Sequence, residues 1–132
     1  MKFNLDCTRD ILFLLEKELT ISSDLEILAL VLDEIKANLN DYEIGEIANT
    51  LIILNEAGFI VADTIFSNDG IEDILVSRIT YDGYQFIESI RPESVWRQVK
   101  NIGSKVGSFS INAVSQIAVA TITSLIDIQL GL

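Results

Sequence analysis

The 132-residue chain contains no histidine, a single cysteine and a single proline, and nine lysines and arginines against twenty acids. Without histidine, the usual general base of nucleophilic catalysis and the commonest metal ligand are both missing. Cys7 alone can form neither an intrachain disulfide nor a cysteine-based zinc site, so any metal would need oxygen ligands, and the thiol is most simply a small core residue. No G-x-S-x-G and no glycine-rich phosphate loop occurs, since Gly103 and Gly107 lie between helices and not after a strand. The adjacent acids Asp33-Glu34 and Glu72-Asp73 point apart on a helix or strand, which makes them solvated surface charge and not a catalytic dyad. We expect no catalytic residue, no metal, no cofactor and no enzymatic activity.

The shortage of basic residues gives a formal charge of -11, which lowers the density of DNA or an anionic membrane near the chain and favours basic, non-nucleic partners. The one proline, Pro92, leaves room for long helices, and 49% hydrophobic residues exclude global disorder. The length suits one domain with an appendage. The opening MKFNLDCTRD places Asp6, Arg9 and Asp10 where a secretory signal needs an apolar run, so a cytoplasmic location is expected.

What is present is organised around DYEIGEIANTLIILNEAGFI, residues 41–60. Ile44, Ile47, Ala48, Leu51 and Leu54 share one helical face, and Ala57-Gly58-Phe59-Ile60 closes the helix and enters a strand, the pattern of a winged-helix recognition helix. Its opposite face carries Tyr42, Gly45, Glu46, Asn49, Ile53 and Glu56, and no basic residue stands between Asp41 and Ile60. Ahead of it, residues 7–19 predict an amphipathic helix capped by Asn4 or Asp6, and Thr20–Asp24 a loop. Leu25–Val31 fits a strand or the start of a helix; on the winged-helix reading Glu26–Val31 is the first strand, Leu32–Leu39 the second helix, and Asn40-Asp41 a turn and cap.

After Gly58, Phe59–Phe66 and Ile74–Ile79 predict a hairpin around Ser67-Asn68-Asp69-Gly70. This wing has acids at its tip, where a minor-groove wing offers arginine or lysine, and Arg78 lies near its base. Thr80 can cap a helix running to Arg91; Pro92 stops it and opens another from Glu93 to about Ile102, with Val95, Trp96 and Val99 docking inward. Gly103–Ser108 predicts a joint, which divides the chain into a winged-helix-like domain, 1–91, and a helical extension, 92–132, with a hinge near 103–108. From Val106 to Ile126 no charge occurs. Ile111, Val114, Ala118, Ile122 and Leu125 form an apolar stripe there, opposite a polar stripe of Asn112, Gln116, Thr123 and Asp127 that argues against a lone membrane span.

RDILFLLE at 9–16, EIANTLIILNEAGFI at 46–60 and RITYDGYQFIESIR followed by Trp96 resemble, in order and spacing, an uncharacterised family of small phage and prophage proteins of bacteria, a domain of unknown function related to winged-helix proteins. The resemblance extends to the tail ending Gln129-Leu130-Gly131-Leu132. Members often have a Tyr-His pair where this chain has Asn49-Thr50, so any role of that histidine is absent here, and the resemblance brings no catalytic residue.

The expected fold is α+β, mainly α: a winged-helix-like domain followed by C-terminal helices. The expected function is a protein-protein interaction module, with Tyr42, Glu46, Asn49, Ile53 and Glu56 as interface candidates. Ile111, Val114, Ala118, Ile122 and Leu125 are the candidates for self-association into a homo-oligomer. The alternative is a DNA-binding regulator dimerised by the tail, its phosphates held by Arg91, Arg97, Lys100 and Lys105; a membrane-associating tail is a minor one. The acidic 41–56 surface predicts no retention of the chain on duplex DNA at moderate salt, and tight, sequence-selective retention with a steep salt slope would contradict it.

Overall fold

Asn4 opens the first helix: its Oδ1 accepts the Cys7 amide at 3.0 Å, and α1 (Leu5–Glu18) then buries Leu5, Cys7, Thr8, Ile11, Leu12 and Leu15 along one face. The structure, a computed structural model, describes residues 2–106 and 110–131. Six helices and two small antiparallel sheets among those residues make the fold α+β, mainly α.

After α1 the chain forms a short finger in which β1 (Thr20–Ile21) and β2 (Ile27–Leu28) pair antiparallel. Leu25 N donates to Ser22 O at 2.9 Å, Ser22 N to Glu26 O at 2.8 Å, and Glu26 N to the Ser22 hydroxyl at 3.0 Å. A three-residue connection of this kind ends on a left-handed residue, and Leu25 fills that place with φ 65°. A β-carbon in that conformation costs roughly 1–2 kcal/mol. The expected single strand over Glu26–Val31 is therefore broken at Ala29, and β3 (Leu30–Val31) belongs to the other sheet.

α2 (Leu32–Asn38) has Val31 as its N-cap, which offers no side-chain oxygen, so carboxylates supply the acceptors. Glu34 Oε1 takes the Val31 amide at 3.1 Å, and Asp73 Oδ1, far along the chain, takes the Leu32 amide at 3.2 Å. α3 (Ile44–Glu56) starts later than the sequence suggested: Glu43 is its N-cap, and Asp41 and Tyr42 remain in the preceding turn. Ile47, Ala48, Leu51 and Leu54 are buried as expected; Ile44, in the first turn, is 44% exposed. Thr50 is buried because its hydroxyl satisfies itself on the Glu46 carbonyl at 2.8 Å.

Gly58, with φ 81°, ends α3, and Phe59 N reaches back to Leu54 O at 2.9 Å. β4 (Ile60–Ser67) and β5 (Gly70–Ile79) then pair antiparallel, with Asp63 opposite Leu75 and Thr64 opposite Ile74. The second strand begins at Gly70, ahead of the expected Ile74, because the turn is confined to Asn68-Asp69 between paired Ser67 and Gly70. β3 completes a three-stranded sheet of order β3-β5-β4, and Ile60, Ile74, Val76 and Ile79 point into the core.

The base of this hairpin is tied to the end of α3. Thr80 N donates to Phe59 O at 3.0 Å, the Thr80 hydroxyl donates to Gly58 O at 2.6 Å, and the same hydroxyl accepts Gly83 N at 3.0 Å, capping α4 (Tyr81–Ile90). A β-carbon on Gly83 would stand 2.0 Å from Phe59 O and 2.8 Å from Ile79 Cγ2.

The chain separates into two units, the first ending at Tyr84 and the second beginning at Gln85. In the second, α5 (Glu93–Val106) lies against α6 (Ile111–Leu130), and Val95, Trp96, Val99, Val114 and Ala118 are buried. α5 continues through Gly103 and Ser104 to Val106, so the first part of the expected hinge is helical; its remainder, Gly107 and Ser108, lies outside the described residues. Ser110 caps α6 by accepting the Ala113 amide at 3.2 Å, and Gly131, with φ 73°, closes it. Gly83→Ala should destabilise the chain by roughly 2–3 kcal/mol in urea melts, because the added carbon meets backbone, whereas helix propensity alone gives a gain of about 1 kcal/mol. A stabilised variant would refute the close approach.

Candidate functional site

The α3 surface is less open than its sequence implies. Tyr42 leaves the helix face for the turn before it, where its hydroxyl donates to Asp10 Oδ2 of α1 at 2.6 Å. Burial, and next the Asp10 carboxylate that accepts this proton, push the Tyr42 phenol well above its ordinary range. Glu46, Asn49 and Ile53 are half-buried, as is Tyr42, and of the five proposed interface residues only Glu56 is exposed. The late start of α3 takes Tyr42 away from the other four. Cys7, below this surface, has its Sγ 3.6 Å from the Thr50 hydroxyl, and burial pushes its thiol from 9.0 up to about 11, against the lowering effect of the Thr50 hydrogen bond. It is a core residue and not a reactive one.

Large apolar side chains are exposed elsewhere in the first unit. On the finger, Ile21 is 68%, Leu25 83%, Ile27 55% and Leu28 50% exposed, with the carboxylates of Asp24 and Glu26 beside them. At the hairpin tip Ile65, Phe66 and Ile71 are exposed, among acids and no basic side chain. The finger is not legible in the sequence, where Thr20–Asp24 reads as a loop and Leu25–Val31 as a short apolar run that fits a strand or the start of a helix. The left-handed Leu25, which turns the chain back, leaves no mark in composition or periodicity. Asp73, expected as surface charge, is half-buried and serves as an acceptor for Leu32 and Ile74 amides.

In the second unit, α5 and α6 border a cleft of about 1120 Å³. Ser94, Arg97, Gln98, Asn101 and Ile102 line it from α5; Ala113, Gln116, Ile117, Ala120, Thr121, Ser124, Leu125 and Ile128 line it from α6. Of the five oligomerisation candidates, Val114 and Ala118 are fully buried within the chain and so are closed to a second copy, because α5 lies against this part of α6. Ile111 and Ile122 are half-buried, and Leu125 is 44% exposed. Beyond them Val119, Ile126, Ile128 and Leu130 are exposed. α6 is long and apolar enough to cross a membrane by length and composition, although Asn112, Gln116, Thr123 and Asp127 run along it.

The four basic candidates lie on or just before α5 and differ in their surroundings. Arg91 is engaged by Glu88, its guanidinium nitrogen 2.6 Å from Oε1, and that hydrogen bond lowers the Glu88 pKa. Arg97 lines the cleft, and Lys100 and Lys105 are exposed on α5. Among the described residues no group of three histidine, cysteine, aspartate or glutamate side chains could hold a metal ion.

Residues 2–110 match the DUF2513 family, described as a hypothetical protein, and the chain belongs to that family. The match ends just before α6 begins. Among curated proteins and solved structures, none matches the chain.

The buried thiol sets a pH dependence. The unfolded thiol ionises near 9.0 and the folded one near 11, so between these values deprotonation favours the unfolded chain. Stability should fall across that window by on the order of 2 kcal/mol from Cys7, with Tyr42 adding a loss of the same sign above its ordinary 10.0. Denaturant melts at pH 8, 9, 10 and 11 should show this slope reduced in Cys7→Ala; an unchanged slope would remove Cys7 as its cause.

Proposed function

We propose that this chain is a non-enzymatic protein-interaction module: a winged-helix-like body of phage or prophage type whose reading face is acidic, with the tail helix giving self-association in the cytoplasm. The order α1, β3, α2, α3, hairpin and the sheet order β3-β5-β4 support the winged-helix-like reading. The observation that carries the interaction reading is the finger. Four apolar side chains stand in solvent beside Asp24 and Glu26, and the most exposed of them, Leu25, is held in a backbone conformation that is unfavourable for leucine. A partner presenting an apolar recess with basic side chains at its edge fits this chemistry. The alternative, a DNA-binding regulator, is supported by less, since α3 lacks basic residues and Arg91 is tied to Glu88.

The test is an affinity capture from nuclease-treated bacterial lysate by the full chain and by Leu25→Gly. Glycine accepts the left-handed backbone, so the variant should be at least as well folded while losing the apolar tip. The reading expects a protein partner that survives nuclease and is depleted several-fold by the substitution. Captured material that disappears with nuclease treatment would favour the DNA-binding alternative.

A further inference from the structure

We infer that the α5–α6 cleft receives α6 of a second copy of this chain, with Arg97 of each copy facing Asp127 of the other. Two adjacent helices leave between them a channel that a third helix fits, and small side chains in the lining, Ala113, Ala120 and Ser124, let a helix backbone come close. The same lining offers Ile102, Ile117 and Leu125 as apolar contacts.

The occupant is chosen by stripe and by charge. Val119, Ile126 and Leu130 recur at i, i+7 and i+11 on α6, and they are 55%, 51% and 66% exposed, outside the cleft lining. This is a second apolar stripe, separate from the buried Val114 and Ala118, and among the described residues it is left exposed. Arg97 is the charged side chain in the cleft and Asp127 the charged side chain of α6. Among the described residues neither has an ionic partner within its own chain. An exchange about a two-fold axis makes the contact isologous: each copy supplies one cleft and one helix, and the ion pair forms twice and fixes the register.

This inference rests on the self-association part of the proposed function and is independent of the finger. Sedimentation equilibrium on the full chain should give a dimer. Arg97→Asp and Asp127→Arg, each at an exposed position, should leave the circular dichroism spectrum unchanged while weakening dimerisation at least tenfold. The double variant Arg97→Asp/Asp127→Arg, which restores both pairs with reversed sign, should recover most of that loss. A wild-type monomer, single variants that dimerise like wild type, or a double variant no better than the singles would each overturn the inference. So would a chain that stays monomeric in buffer and binds phosphatidylcholine vesicles through α6. Nuclease-resistant capture by a monomeric chain would overturn this inference alone and leave the interaction reading standing.

Discussion

Most of the first unit depends on one knot of backbone, where the end of α3 meets the end of β5. Gly58 and Phe59 present two carbonyl oxygens; Thr80 uses its amide for one and its hydroxyl for the other, and Gly83 passes so close to Phe59 O that no side chain fits. The hydroxyl also caps α4, so a single residue closes the hairpin, joins it to α3 and starts the next helix. Because β4 and β5 diverge from this point, their register, and hence which of their side chains face the core, follows from it. The second tie is Asp73, which carries β5 to the start of α2 and supplies the acceptor that Val31 lacks.

With the core fixed in this way, the surface is left with little positive charge and several uncovered apolar groups. Acids lie around the finger and the hairpin tip; of the nine basic residues three, Arg97, Lys100 and Lys105, stand on α5, and Arg91 and Lys17 pair with neighbouring carboxylates. A surface of this character suits protein contacts of modest polarity more than a polyanion. The family match covers the first unit and α4–α5 but stops before α6, so the apolar tail stripe lies outside what the family profile describes.

Elements whose cause is local were legible in the sequence. The stripes of α1 and α3, the Ser67-Asn68-Asp69-Gly70 turn and the Thr80 cap of α4 all act within a few residues, and the structure has them near their expected places. What the sequence hid depends on distant partners or on backbone sign. Asp73 looks like any surface acid until β5 brings it to α2. Ile44 fits the apolar period but falls in the first turn of α3, where the core does not reach it, and Thr50 breaks the period yet is buried because it bonds its own helix. Tyr42 could be placed only once α3 was known to begin after it, and the covered part of the α6 stripe only once α5 was seen against it. The finger was the largest omission, since its fold-back requires a positive φ that leucine rarely takes.

The sheet also carries a consequence for the order in which the chain folds. The β4–β5 hairpin closes across a two-residue turn, so its entropic cost is small and it can form within microseconds. Leu30 pairing with Val76 must close all of α2, α3 and β4 as a loop. The cost of that closure favours β3 pairing after the hairpin exists to receive it, and the Asp73 bond to Leu32 is made with that pairing. Until then β5 presents an unpaired edge on the side that β3 takes, and an edge of that kind is a template for pairing with another chain in a slow-folding variant.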